Sequence, residues 1–160
     1  MNANIREISQ NDNQQVAALI RSVFEDMGIP KTGTAYADTS LNQMYEAYDR
    51  PRAFYFIIEE DGEVIGGGGI APLDNYGGNV CELQKMYFLK EARGRGFGTK
   101  ILDLCLGKAK EFGFDKCYLE TMPYMDAARK LYEKNGFEYI DGPMGDTGHT
   151  SCSVWMLKTL

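Results

Sequence analysis

Between residues 80 and 113 the chain passes from a β-branched and aromatic stretch, Val80 to Leu89, through Arg93-Gly94-Arg95-Gly96-Phe97-Gly98, into a stretch with Ile101, Leu102, Cys105, Ala109 and Phe112 at helical spacing. This order predicts a strand, a glycine-rich turn and a helix capped by Gly113. A helix that starts just after a strand offers unpaired N–H groups and partial positive charge. Gly94, Gly96 and Gly98 remove the Cβ atoms that would hold a ligand off the backbone. Arg93 and Arg95 add positive charge to a chain whose 17 Lys+Arg against 23 Asp+Glu give a net charge of −6. The turn therefore reads as an anion cradle fit for a pyrophosphate. Two nucleotide signatures fail. A phosphate-binding loop needs Gly before Lys-Ser/Thr, whereas the order here is Gly98-Thr99-Lys100-Ile101; the dinucleotide fingerprint Gly-x-Gly-x-x-Gly breaks at Thr99.

The flanking sequence predicts a mixed α/β chain in the order βααβββαβαββ. Ile5 to Ile8 alternates as a first strand. Ser9 and Asp12 form a candidate capping box ahead of a helix carrying Val16, Leu19, Ile20, Val23, Phe24 and Met27, ended by Gly28 and Pro30. A polar loop, 31–38, holds Tyr36. Leu41, Met44, Tyr45 and Tyr48 mark a shorter helix stopped before Pro51. Phe54 to Ile58 and Val64 to Ala71 read as strands joined at Asp61-Gly62. The Gly66 to Gly69 run inside the second implies a close approach by something else. After a turn-rich loop, Pro72 to Asn79, comes the segment described above. Lys116 to Thr121 is a strand broken by Pro123; Ala128, Leu131 and Tyr132 mark a helix ending near Asn135 with Gly136 as cap. Phe137 to Ile140 and Ser153 to Lys158 are the last strands, around a 141–150 loop.

Arg93, Gly96 and Gly98 match Arg/Gln-x-x-Gly-x-Gly/Ala, and Ala128-Arg129-Lys130-Leu131-Tyr132-Glu133-Lys134-Asn135-Gly136-Phe137 resembles Ala-x-x-Leu-Tyr-x-Lys-x-Gly-Phe. Both are signatures of the GNAT superfamily of N-acetyltransferases, here in family order and separated by one helix and one strand. The close resemblance covers roughly residues 80 to 140. It implies a single domain over 1–160 with a predominantly antiparallel sheet of about seven strands, one parallel splayed pair and about four helices. It also implies acetyl-CoA as cosubstrate. The pantetheine arm would pair with the fourth strand at Met86, Tyr87 and Phe88, and the pyrophosphate would lie on the N–H groups of residues 93 to 98, with Thr99 adding a hydroxyl. The chain departs from the family at Met125, where an asparagine that helps hold the cofactor is usual, and at Lys90, where a proline is usual.

The implied reaction is direct attack of a neutral amine on the thioester. That chemistry needs a base or water chain for the amine, an N–H donor for the oxyanion, and a proton for the departing thiolate. The resemblance places Tyr132 in the last role, which suits a phenol with pKa about 10; otherwise Tyr132 is a packed aromatic. Met86 is the candidate backbone donor. Glu82, a carboxylate on a core strand, is the candidate base or else half of a salt bridge to Lys85 or an arginine. Glu120 is a second candidate, and Tyr36, Tyr124 and His149 are candidate acceptor contacts, His149 being otherwise an ordinary loop residue.

An acidic balance disfavours nucleic acid as a partner, because phosphate contacts need a basic face, and leans towards a small amine or peptide acceptor. Cys81, Cys105, Cys117 and Cys152 are widely spaced and read as small hydrophobes in a reducing compartment, with no metal site. The polar start Met1-Asn2-Ala3-Asn4 and the lack of an apolar run of spanning length point to the cytoplasm and to no membrane partner. A homodimer is left open. The rival functions are a different acyl donor and, outside catalysis, a CoA-binding sensor or interaction module on the same fold.

Overall fold

The computed structural model describes residues 3–160; Met1 and Asn2, half of the polar start, lie outside them. The elements follow the expected order: β1 (Ala3–Glu7), α1 (Asn13–Met27), α2 (Met44–Tyr48), β2 (Phe54–Glu60), β3 (Glu63–Pro72), β4 (Val80–Phe88), α3 (Phe97–Glu111), β5 (Lys116–Thr121), α4 (Asp126–Lys134), β6 (Glu138–Ile140) and β7 (Val154–Thr159). They form one seven-stranded sheet in the order β1-β2-β3-β4-β5-β7-β6. Every neighbouring pair is antiparallel except β4 and β5.

Strand parity sorts the core into two layers. On one face Tyr55, Ile57 and Val64 pack with Val16, Ile20 and Phe24 of α1 and Met44 of α2. On the other, Phe56, Ile58 and Leu83 pack with Ile101, Leu102 and Cys105 of α3 and with Tyr132 of α4. Ile20, Ile57, Ile58, Ile101 and Leu102 are fully buried, and each such side chain stabilises the fold by roughly 1.5–3 kcal/mol. At the start of α1 the Ser9 amide donates to Asp12 Oδ2 at 2.7 Å, and Arg6 clamps the same carboxylate through both oxygens at 2.9 Å.

Several expectations shift. The second helix is one α-helical turn preceded by a 3₁₀ segment over Thr39–Gln43. Phe112 is only half-buried at the end of α3, and Leu106 and Phe114 fill the core there instead. The strand before the 72–79 loop runs on through Pro72, which pairs with Cys81 of β4 beyond the last β2 pairing at Ile70. Its missing N–H therefore forfeits no bond on the β2 side. The four glycines of β3 are filled from both faces. A Cβ at Gly67 or Gly69 would meet the Tyr55 ring at 2.8 or 2.6 Å and a β2 carbonyl oxygen at 2.7 or 2.5 Å; one at Gly68 would meet Ile101 at 2.9 Å. The close approach the glycines implied is thus by the protein's own side chains.

Candidate active site

β4 is interrupted halfway. Its register against β3 jumps between Gly69↔Gln84 and Gly67↔Tyr87, and Lys85 sits at φ +49°, which marks a β-bulge. The Tyr55 hydroxyl, reaching through the space over Gly67 and Gly69, donates to the Lys85 carbonyl at 2.6 Å and pins it. The extra residue reverses the parity of the strand. Before it, Cys81 and Leu83 face α3; after it, Met86 and Phe88 do, and Tyr87 turns to the α1 face, its ring 5.2 Å from that of Phe24. The bulge also bends β4 away from β5, so the parallel pairing stops at Glu82↔Tyr118. The strands splay beyond that point and open a cleft between them.

Glu82 lies at the root of the splay and is only 4% exposed. It accepts a hydrogen bond from Gln84 Nε2 at 2.7 Å, while Gln84 accepts from the Tyr48 hydroxyl at 2.6 Å. The alternative reading, a salt bridge from Glu82 to Lys85 or an arginine, is not found among the described residues; Lys85 Nζ pairs instead with Asp38 at 3.0 Å. Burial pushes the Glu82 carboxyl up to about 7; the Gln84 hydrogen bond opposes this and the neighbouring Glu120 charge adds to it. Glu120 is held by the Tyr118 hydroxyl at 2.6 Å and Thr147 Oγ1 at 2.5 Å. His149 closes the group, with Nε2 3.0 Å from Asp38 Oδ1 and Nδ1 3.8 Å from Glu120 Oε1. Burial disfavours the imidazolium, but the Asp38 hydrogen bond and charge outweigh it, and the His149 pKa is raised. Ligand atoms of Glu82, Glu120 and His149 lie within 4.8 Å of one another, so their charges are felt in common.

Tyr132 faces the same cleft from α4. Its ring packs edge-on against Phe137 at 5.9 Å, and its hydroxyl has no hydrogen-bond partner among the described residues. Burial raises its pKa, so the phenol keeps its proton.

The glycine turn behaves in two halves. Gly94 and Gly96 take φ +72° and +82°, and a Cβ on either would project into open space, so the N-terminal end of α3 is bare backbone. Thr99 is exposed on its first turn, whereas Phe97 is buried and contributes backbone only. Gly98 serves packing, since its Cβ would stand 3.2 Å from Leu131 of α4. The arginines do not both face the cradle. Arg93 donates through Nε and Nη2 to the Phe88 carbonyl at 3.1 and 3.0 Å, yet still borders the cleft mouth with Met86, Tyr87 and Phe88. Arg95 pairs with Glu60 and covers the Phe97 ring, so its charge is already matched.

Of the candidate acceptor contacts, Glu120 and His149 converge on the cleft. Tyr36 does not: it packs on Phe24 at 5.7 Å beneath Lys31. Tyr124, 52% exposed, borders the mouth beside Arg93 rather than the acceptor side. Cys81, Cys105 and Cys117 are buried and free, as expected of small hydrophobes, and Cys152 lines the cleft. Asp38, Tyr48 and Gln84 carry no sequence signal for the parts they play; each is an ordinary polar residue until the fold brings it to Glu82. No helix among the described residues is long and apolar enough to cross a membrane.

This arrangement has relatives. The chain is 43% identical over 157 residues to the uncharacterized N-acetyltransferase YjgM of Escherichia coli (strain K12), covering 98% of this chain and 94% of that one. It is 32% identical over 111 residues to the IAA acetyltransferase of Azospirillum brasilense, 69% of this chain and 71% of that one. Its fold matches that of an acetyltransferase of GNAT family from Staphylococcus aureus Mu50 with a TM-score of 0.87 over 99% of both chains at 23% identity. It also matches PaiA N-acetyltransferase from Thermoplasma acidophilum, solved in complex with coenzyme A, with a TM-score of 0.75 over 100% of both chains at 18% identity. The model of the acetyltransferase (GNAT) family matches residues 16–137, a span that holds the bulged strand, the glycine turn and the Ala128–Phe137 segment, and the chain belongs to that family.

Proposed function

We propose that the protein transfers an acetyl group from acetyl-CoA to a primary amine, with Glu82 as base and Tyr132 as acid. The observation that carries this reading is the cleft itself: a strand bent off its neighbour by the Lys85 bulge leads from Glu82, at the root, to the bare backbone of residues 93 to 98 at the mouth. An extended thioester has a strand to lie along, an N-terminal helix end for its pyrophosphate, and a buried acid–base pair where its carbonyl arrives. Acetyl-CoA brings the activated acyl group. Glu82, with a pKa near 7, takes the proton that the incoming ammonium must shed. The Met86 N–H, just past the bulge, is the candidate donor to the oxyanion. The Tyr132 hydroxyl, free of other partners among the described residues, gives its proton to the departing sulfur, and the phenolate takes up the second proton that the attacking nitrogen sheds as the amide forms.

Two measurements test the reading together. Acetyl-CoA at a hundred times its Kd should stabilise the fold by about 2.7 kcal/mol, seen as a thermal shift, and a panel of primary amines should contain at least one that releases CoA thiol. No shift with acetyl-CoA alongside a rise with ATP or NAD would overturn the cosubstrate. A clear shift with no thiol release from any amine would favour a CoA-binding module without turnover.

A further inference from the structure

A second, polar cavity meets the cleft from the side opposite the glycine turn. Glu82, Gln84, Lys85 and His149 line both spaces, so a molecule in this cavity reaches the Glu82 carboxyl without crossing the path of the cosubstrate. Its charged groups divide by whether they already have partners. Asp38 is matched twice, by Lys85 Nζ at 3.0 Å and by His149 Nε2 at 3.0 Å, and those two cations are thereby used. Two groups are left over. Asp74 is in no ion pair among the described residues. Arg50, exposed at the cavity rim like Asp74, is likewise in none, and its one side-chain hydrogen bond among the described residues runs from Nε to the Ala47 carbonyl at 3.3 Å, leaving both terminal nitrogens of the guanidinium open to solvent and ligand. The cavity therefore offers a ligand an exposed carboxylate and an exposed planar cation with no described ionic partner, together with the nearly buried Glu82 carboxyl.

We infer that the acceptor is an amine that also carries a carboxylate, of the free amino-acid type, with Arg50 as the residue that selects it. This rests on the acetyltransferase reading above. The ammonium is drawn towards Asp74 and Glu82. The carboxylate takes the two free Arg50 nitrogens in the paired geometry that guanidinium favours over any other cation. A peptide N-terminus, a polyamine or an amino-acid amide lacks the α-carboxylate and leaves Arg50 unanswered.

The test measures acetyl-CoA-dependent thiol release with the twenty amino acids, their amides, spermidine and an aminoglycoside, on the wild type and on Arg50→Gln and Arg50→Lys. The amide's amino group is less basic than the acid's, so intrinsic reactivity at neutral pH favours the amide. We expect at least one acid to exceed its own amide by tenfold or more in kcat/KM. Arg50→Gln should erase that preference through a rise in KM of roughly 10- to 100-fold for the acid, and Arg50→Lys should restore only part of it. A thermal shift with acetyl-CoA establishes that each variant is folded. Amides matching or exceeding acids, a preference that survives Arg50→Gln, or turnover confined to spermidine or the aminoglycoside would each overturn the inference while leaving acetyl transfer standing. Release from none of these amines would instead sink the reading on which it depends.

Discussion

Glu82→Gln separates a functional carboxylate from a structural one, because the two roles predict opposite signs for stability. The side chain is 4% exposed, and burial raises its pKa from 4.5 to about 7. Between those values the folded protein binds more protons than the unfolded one, so stability falls as pH rises through the window and is flat on either side of it. About 2.5 pKa units at 1.36 kcal/mol each amount to a penalty of about 3 kcal/mol once the folded-state group has ionised. Glutamine carries no such penalty, and its side-chain oxygen can still accept from Gln84 Nε2. The variant should therefore gain on the wild type with rising pH, reaching an advantage of about 3 kcal/mol above pH 7 relative to the difference below pH 4.5. For a chain of this size that is a Tm difference on the order of 10 °C. At the same time kcat/KM should fall roughly 10²–10⁴-fold, the ascending limb near pH 7 should vanish, and the deficit should shrink as free amine becomes abundant. Thermal denaturation from pH 4 to 9 and thiol release across the same range measure both. A variant equally shifted at pH 5 and pH 8, or one with wild-type kcat/KM, would refute the argument.

Tyr132→Phe keeps the ring against Phe137 and removes a hydroxyl with no hydrogen-bond partner among the described residues, so acetyl-CoA affinity and Tm should hold while kcat drops by up to 10²–10⁴-fold if thiolate departure limits turnover; wild-type kcat at every pH would return Tyr132 to the role of packed aromatic. Gly96→Val places a branched Cβ at φ +82° in the open space of the cradle, so the acetyl-CoA thermal shift should disappear with a stability loss of only about 1–2 kcal/mol, and calorimetry showing normal binding would move the pyrophosphate elsewhere. Gly69→Ala should do the reverse: its Cβ would stand 2.5 Å from the Phe54 carbonyl oxygen and 2.6 Å from the Tyr55 ring. Chemical denaturation should then report a loss of roughly 1–3 kcal/mol, and a neutral result would mean that Tyr55 moves freely and does not pin the bulge.

Local order along the chain carries much of this protein. The 3.6-residue spacing of α1 and α3, the Asp61-Gly62 hairpin, the glycine turn and the Ala128–Phe137 segment are all short-range patterns, because each depends on neighbours in sequence. They sufficed to place seven strands and four helices in order and, through the family resemblance they carry, to nominate Glu82 and Tyr132. What they could not carry is anything that depends on which face a strand residue ends up on. A single extra residue at Lys85 reverses that assignment for the rest of β4, and nothing about lysine announces a positive φ. The bulge is held by Tyr55 from another strand, through space that Gly67 and Gly69 leave open on a third, so its cause is spread over 31 residues of chain. The same is true of the charges. Arg95 reads as a phosphate ligand until β2 brings Glu60 to it, and His149 reads as a loop residue until the fold sets it on Asp38, 111 positions away. The Glu82 pKa is set first by exclusion of water, then by Gln84 on its own strand, which opposes the rise, and by Glu120 arriving from β5, so most of it exists only in the folded protein. Sequence supplies the chemical groups and their local geometry; burial and long-range charge, which decide what those groups do, exist only once the sheet has closed around them.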